Sequence, residues 1–149
     1  MTDHFHKIGP WTEDGTKAAC VILHDNRHRL LLQLRDTLPE TMGPGQWGIF
    51  GGRLELGETP RNCALREIEE ELGIRLGSRS VQAFAKTQSP HGTGLYAFTT
   101  TTVVKTSDIR LAEGAGFAFL TPDQIANLPV LPAVTTLLHH FFEKHPEFT

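Results

Sequence analysis

The chain has 149 residues, 14 Lys+Arg against 17 Asp+Glu, a net charge of −3 and 39% apolar residues, which suits one domain able to bury a core without a disulfide or metal staple. Mild acidity argues against a general nucleic-acid binder, and no apolar run approaches the roughly 18 residues of a membrane span. Cys20 and Cys63 stand far apart with no CxxC pair, so neither a zinc site nor a disulfide framework is indicated.

The polar first residues lack the apolar stretch of a secretory signal, so a cytoplasmic protein is expected: one domain over 1–149, with 1–16 as an N-terminal arm. AACVILH (18–24) reads as a buried strand and RLLLQLR (29–35) as its neighbour, joined by the turn residues Asp25, Asn26, Arg27 and His28. DTLPETMGPGQ (36–46) reads as a loop, and WGIF (47–50) as a short strand.

The best-defined helix follows. Thr59 suits the N-cap, Pro60 the first helical position and Gly73 a left-handed stop, which predicts a helix over 60–72. VQAFAKTQ (81–88) and LYAFTTTTVVK (95–105) read as strands joined by the turn-rich SPHGTG, and a short strand is expected over 117–120. Thr121-Pro122 starts another helix. Leu131, Val134, Leu137, Leu138, Phe141 and Phe142 recur at helical spacing and predict an amphipathic helix at the end of the chain. Hairpins among interleaved strands and helices give an α/β class with a mixed sheet.

At about 100° per residue, Glu67, Glu70 and Glu71 share one arc of the 60–72 helix, while Leu65, Ile68 and Leu72 form the adjoining apolar stripe. Like charges at this spacing repel, and Arg66 is the one basic residue within reach. Three hard oxygen donors beside the loop GGRLELGE suit Mg²⁺ or Mn²⁺; a solvated acidic face is the competing reading of a bare E-x-x-E-E. Residues 53–71 hold six acids against three bases, so this segment accounts for the whole net charge of −3.

Gly52, Glu58, Arg66, Glu67, Ile68, Glu70, Glu71, Gly73 and Ile74 match every specified position of the pattern Gly-x5-Glu-x7-Arg-Glu-apolar-x-Glu-Glu-x-Gly-apolar. On these residues the chain resembles the Nudix hydrolase family, MutT-like, and the flanking order of elements resembles that family's α/β/α sandwich. The resemblance implies hydrolysis of a nucleoside diphosphate linked to another group, a nucleoside triphosphate or a nucleotide sugar, with Mg²⁺ or Mn²⁺ as cofactor. It implies Glu70 and Glu71 as metal ligands with the Gly52 carbonyl and Glu67 close to the same ions, or Glu67 orienting other groups. Arg66 would hold a carboxylate of the cluster in place, and Glu58 would tie the loop to the helix.

Glu113, in LAEGAGF, resembles a glutamate that reaches the metals in the branch acting on oxidised guanine nucleotides, and is the candidate general base outside the helix. Asp108 and Asp123 are weaker alternatives. Arg35 resembles an arginine facing phosphates, and Trp47 and Phe50 flank the Gly-Gly loop as candidate substrate contacts, with core packing the competing and favoured reading of Phe50. Val134 stands where that branch carries an asparagine, which argues against 8-oxo-dGTP unless Asn127 or a loop substitutes. A small nucleotide partner is expected, with no nucleic acid, no membrane, and a monomer or homodimer. The competing reading is a non-catalytic sensor that binds a nucleotide on the same fold.

Overall fold

The computed structural model describes residues 2–37, 45–112 and 114–149. Its strands are β1 (His6–Lys7), β2 (Lys17–His24), β3 (Leu30–Leu34), β4 (Trp47–Gly48), β5 (Gly51–Arg53), β6 (Val81–Gln88), β7 (Gly94–Val103) and β8 (Gly116–Leu120). The helices are α1 (Pro60–Leu72), α2 (Pro122–Ala126) and α3 (Pro132–Lys144). Among the described residues the strands form one mixed sheet in the order β1-β6-β7-β2-β3-β4, with β5 also paired to β2 and β8 to β3.

Strand β2 explains the layering. Its run from Ala19 to Leu23 is buried throughout, because consecutive side chains alternate between two covered faces. Ala19, Val21 and Leu23 join Ile68 and Leu72 of α1 in one core, while Cys20 and Ile22 join Leu137, Leu138 and Phe141 of α3 in another. One sheet between helices is the α/β/α sandwich expected.

Helix α1 begins and ends as its local chemistry dictates. The Thr59 side chain accepts from the Asn62 N–H at 3.1 Å, and Gly73, at φ 69°, donates its N–H to the Glu69 carbonyl. The β2–β3 turn is held by Asp25, whose carboxylate accepts from the N–H groups of Arg27 and Arg29 and from Arg29 Nε. Burial works against that charge, yet these donors hold its carboxyl below the usual value.

One expectation changes. The 47–50 segment is not one strand: pairing breaks at Ile49 and Phe50, and β5 resumes antiparallel to β2 with Gly52 opposite Ala19 and Gly51 opposite Cys20. At the break the Phe50 ring enters the core under α1, 1% exposed. Within the N-terminal segment, β1 pairs parallel to β6, His6 opposite Ala85. Phe5 packs edge-on against Tyr96 and Phe98 at 4.9 and 5.1 Å, and Asp3 binds Arg61 of α1 at 2.7 Å.

Candidate active site

The β2–β5 pairing sets the Gly51-Gly52 backbone beside the middle of α1. A side chain at Gly52 would put its Cβ 2.6 Å from Oε2 of Glu67, so the missing methyl is the space that the Glu67 carboxylate fills. Cys63, below them on α1, points its thiol at the Gly52 carbonyl at 3.3 Å. Burial, and then the charge of Glu58, push that thiol up to about 12, so it stays protonated and donates.

Arg66 is the hub. Its Nε and Nη2 donate to the two oxygens of Glu58 at 2.8 and 2.9 Å, Nη1 donates to Glu67 at 2.8 Å and to Glu70 at 3.2 Å, and Nη2 reaches the Arg53 carbonyl at 3.1 Å. Glu58 also accepts from the Glu55 N–H at 2.9 Å, which ties the loop to the helix as expected. The Arg66 guanidinium and this N–H hold the Glu58 carboxyl at about 2, well below the usual range.

The carboxylates differ in exposure. The side chains of Glu58 and Glu67 are 13% and 15% exposed, while that of Glu70 is 58% exposed and meets Arg66 through one bond. Glu71 is 3% exposed, on the buried side of α1 with Ile68 and Leu72, and lines a cavity of about 760 Å³ together with Gly52. The acidic arc is therefore not uniform: it runs from a solvated Glu70 to a Glu71 enclosed by the fold. Among the described residues no three Asp, Glu, His or Cys side chains gather around one ion-sized point, because Glu67 and Glu70 are turned onto Arg66.

The donor set nevertheless fits a hard divalent cation. It is all oxygen, two of its members, Gly52 and Glu71, border a cavity, and the Glu71 carboxylate is already enclosed where a cation would offset its desolvation. Glu70 is held by Arg66 less closely than Glu67 is and is more exposed, which leaves it more room to turn toward such an ion.

Arg35 lines the same cavity, as do Arg53, Asp36 and Gln46. Phe50 does not: its ring is core, so Phe50→Ala should cost about 3 kcal/mol or more of stability, read by thermal melting, rather than nucleotide affinity. Trp47 packs with the α3 cluster and pairs its backbone with Pro129 and Leu131, and neither aromatic borders the cavity, which Ile49 lines instead. Asn127 is spent as the end of α2, donating to the Asp123 carbonyl at 2.9 Å. Asp108 accepts from its own turn at Lys105, and neither Asp108 nor Asp123 borders the cavity. Val134 does border it, as an apolar group. Glu113 lies outside the described residues.

Sequence reasoning passed over one part of the wall. Ser89, Pro90, His91 and Thr93 line the cavity, yet SPHGTG carried only the signal of a hairpin turn.

A family model described as the NUDIX domain matches residues 15–141. Nucleoside triphosphatase NudI of Enterobacter sp. (strain 638) is 39% identical over 66 residues, 44% of this chain and 45% of that protein. Putative 8-oxo-dGTP diphosphatase 3 of Mycobacterium tuberculosis is 32% identical over 93 residues, 59% of this chain and 43% of that protein. The matches thus span less than half the length of these curated relatives. A solved MutT structure, from work on the Aliivibrio salmonicida and Vibrio cholerae proteins, superposes with a TM-score of 0.70 at 21% identity, covering 87% of this chain and 98% of that one. The MutT protein of Methanosarcina mazei Go1 gives 0.65 at 16% identity, over 97% and 99% of the two chains. At these identities the two structures speak for the fold.

Proposed function

Because the chain belongs to the NUDIX domain family, we propose that it is a pyrophosphohydrolase that cleaves the diphosphate linkage of a nucleoside diphosphate joined to another group. The observation that carries this reading is the Arg66 hub, which groups Glu58, Glu67 and Glu70 with Glu67 in the glycine-only space at Gly52, next to the cavity that Gly52 and the enclosed Glu71 line. A nucleoside triphosphate or a nucleotide sugar is the substrate we favour, and the relatives named nucleoside triphosphatase and 8-oxo-dGTP diphosphatase support the first.

Mg²⁺ or Mn²⁺ would be held by Glu67, Glu70, Glu71 and the Gly52 carbonyl; when bound, it neutralises the phosphate oxygens that water must approach. Arg66 keeps the carboxylates grouped while the site is free of metal. Glu58 is held ionised by Arg66 and anchors the loop, which leaves it a positioning role. Arg35 and Arg53, on the cavity wall, offer positive charge to the phosphates. Glu113 is the residue we propose as base, and Glu113→Gln tests that role separately.

The test is release of phosphate or pyrophosphate from nucleoside triphosphates, nucleotide sugars and dinucleotide cofactors with Mg²⁺ or Mn²⁺. Turnover of at least one is expected, and Glu70→Gln should lower it about a hundredfold or more while the melting temperature stays near wild type. Tight nucleotide binding with no turnover on any of them would replace the hydrolase by the sensor, and near-normal activity in Glu70→Gln would remove the metal assignment.

A further inference from the structure

The 89–93 loop that walls the cavity is short, polar and closed on itself: the Ser89 N–H donates to the Thr93 carbonyl at 2.8 Å, and the Gly92 N–H to the Ser89 carbonyl at 2.9 Å. A hairpin tip of this kind is ordinarily mobile. Here the N-terminal segment grips it from outside. The Thr12 N–H donates to Gln88 Oε1 at 2.9 Å, and Gln88 Nε2 donates back to the Thr12 carbonyl at 3.1 Å and to the Gly92 carbonyl at 3.3 Å.

Gly15 lies so close to the loop that a Cβ there would stand 2.6 Å from the Gly92 carbonyl oxygen. The Trp11 ring covers Gly94, where a Cβ would meet it at 2.7 Å, and carries Lys86 Nζ 4.6 Å from its centroid. The Gly94 N–H donates to the Thr16 carbonyl at 2.8 Å. At its other end the segment is fixed by Asp3 on Arg61 and by Phe5 under Tyr96 and Phe98. The connection from β1 to β2 thus runs along the loop and meets it through the Thr12–Gln88 pair and the close Gly15–Gly92 contact.

We infer that residues 3–16 brace the substrate cavity, holding the 89–93 loop through the Thr12–Gln88 pair and the Gly15–Gly92 contact so that His91 meets the nucleoside part of the substrate. A metal held by the carboxylates would take the diphosphate, so the group beyond it is what remains for this wall. His91 offers it a flat ring face with a polar edge, and Pro90 an apolar surface. This rests on the reading of the cavity as a nucleotide site. Gln88 is then a positioning residue and His91 the group that touches the ligand.

The test is calorimetric binding of dGTP, ATP and ADP-ribose without added metal, together with amide hydrogen exchange across the loop. Gln88→Ala should weaken nucleotide binding about tenfold and speed exchange at Gly92 and Thr93, with the melting temperature little changed. Gly15→Ala should do the same by pushing the Gly92 carbonyl outward. His91→Ala should weaken binding to a similar degree without faster exchange, which separates contact from bracing. In turnover, Gln88→Ala should raise KM with kcat near wild type. Binding that neither Gln88→Ala nor His91→Ala weakens overturns this inference and leaves the hydrolase standing; a wild-type chain that binds none of the three nucleotides also overturns this inference, while the hydrolase stands or falls on turnover with Mg²⁺ or Mn²⁺.

Discussion

Gly52→Ala should fold and lose its activity, whereas Gly51→Ala should fail at the first of these. The two glycines are neighbours, yet an added methyl meets different things. At Gly52 it meets the Glu67 carboxylate, with Oε1 and Oε2 at 2.5 and 2.6 Å, the movable end of a flexible side chain. Relief comes from turning Glu67 away, which costs the fold little and takes a carboxylate out of the cluster; activity should fall about a hundredfold, with a loss in melting temperature of only a few degrees. At Gly51 the methyl runs into the backbone of β2, at the Ala19 carbonyl and 2.7 Å from Cys20 Cα. Nothing there can rotate aside, so the β2–β5 pairing must open, at a cost of about 3 kcal/mol or more. Melting followed by circular dichroism, set beside turnover with Mg²⁺, separates the two. Full activity in Gly52→Ala would mean that the observed place of Glu67 is not needed for the chemistry.

That difference shows which parts of the site were legible in the sequence. Helix α1 was legible to its end residues, because Thr59, Pro60 and Gly73 act on their own turns and need no distant partner. The two-faced sheet followed from the unbroken apolar run of β2. Helical angles also grouped Glu67, Glu70 and Glu71, but an angle carries no depth: that Glu71 is enclosed and Glu70 solvated depends on what β2, β3 and the Gly-Gly loop bring over the helix. Nearness to Gly52 made Phe50 a candidate substrate contact beside its reading as core, and its 1% exposure in the cluster under α1 decides for packing. The N-terminal segment was illegible for another reason. His6 pairs with Ala85 and Thr12 with Gln88, across most of the domain, and no periodicity in a polar dozen residues points to such a partner.

Arg66→Ala should separate the two tasks that one guanidinium performs. It is 23% exposed and bonds Glu58, Glu67 and Glu70 at once, so its removal leaves partly enclosed carboxylates facing one another without a cation. A loss of about 2–4 kcal/mol at neutral pH is expected, below the cost of a fully buried pair because water reaches Glu70. The loss should depend on pH with a definite sign. In the wild type the folded-state carboxyl of Glu58 titrates at about 2, below the usual 4.5, so its contribution is present above 4.5 and disappears as pH falls toward 2. Without Arg66 that carboxyl returns toward the ordinary range, and the stability gap between variant and wild type should narrow steadily below pH 4.5. Mg²⁺ gives the complementary result. If the carboxylates are a cation site, the ion takes over part of the arginine's charge, and saturating Mg²⁺ should raise the melting temperature of Arg66→Ala by more than it raises that of the wild type. Denaturant unfolding across pH 2–7 and melting with and without Mg²⁺ measure both. A gap that does not change with pH would assign the loss to packing of the arginine stem, and an equal response to Mg²⁺ would place the cation away from the carboxylates that Arg66 holds.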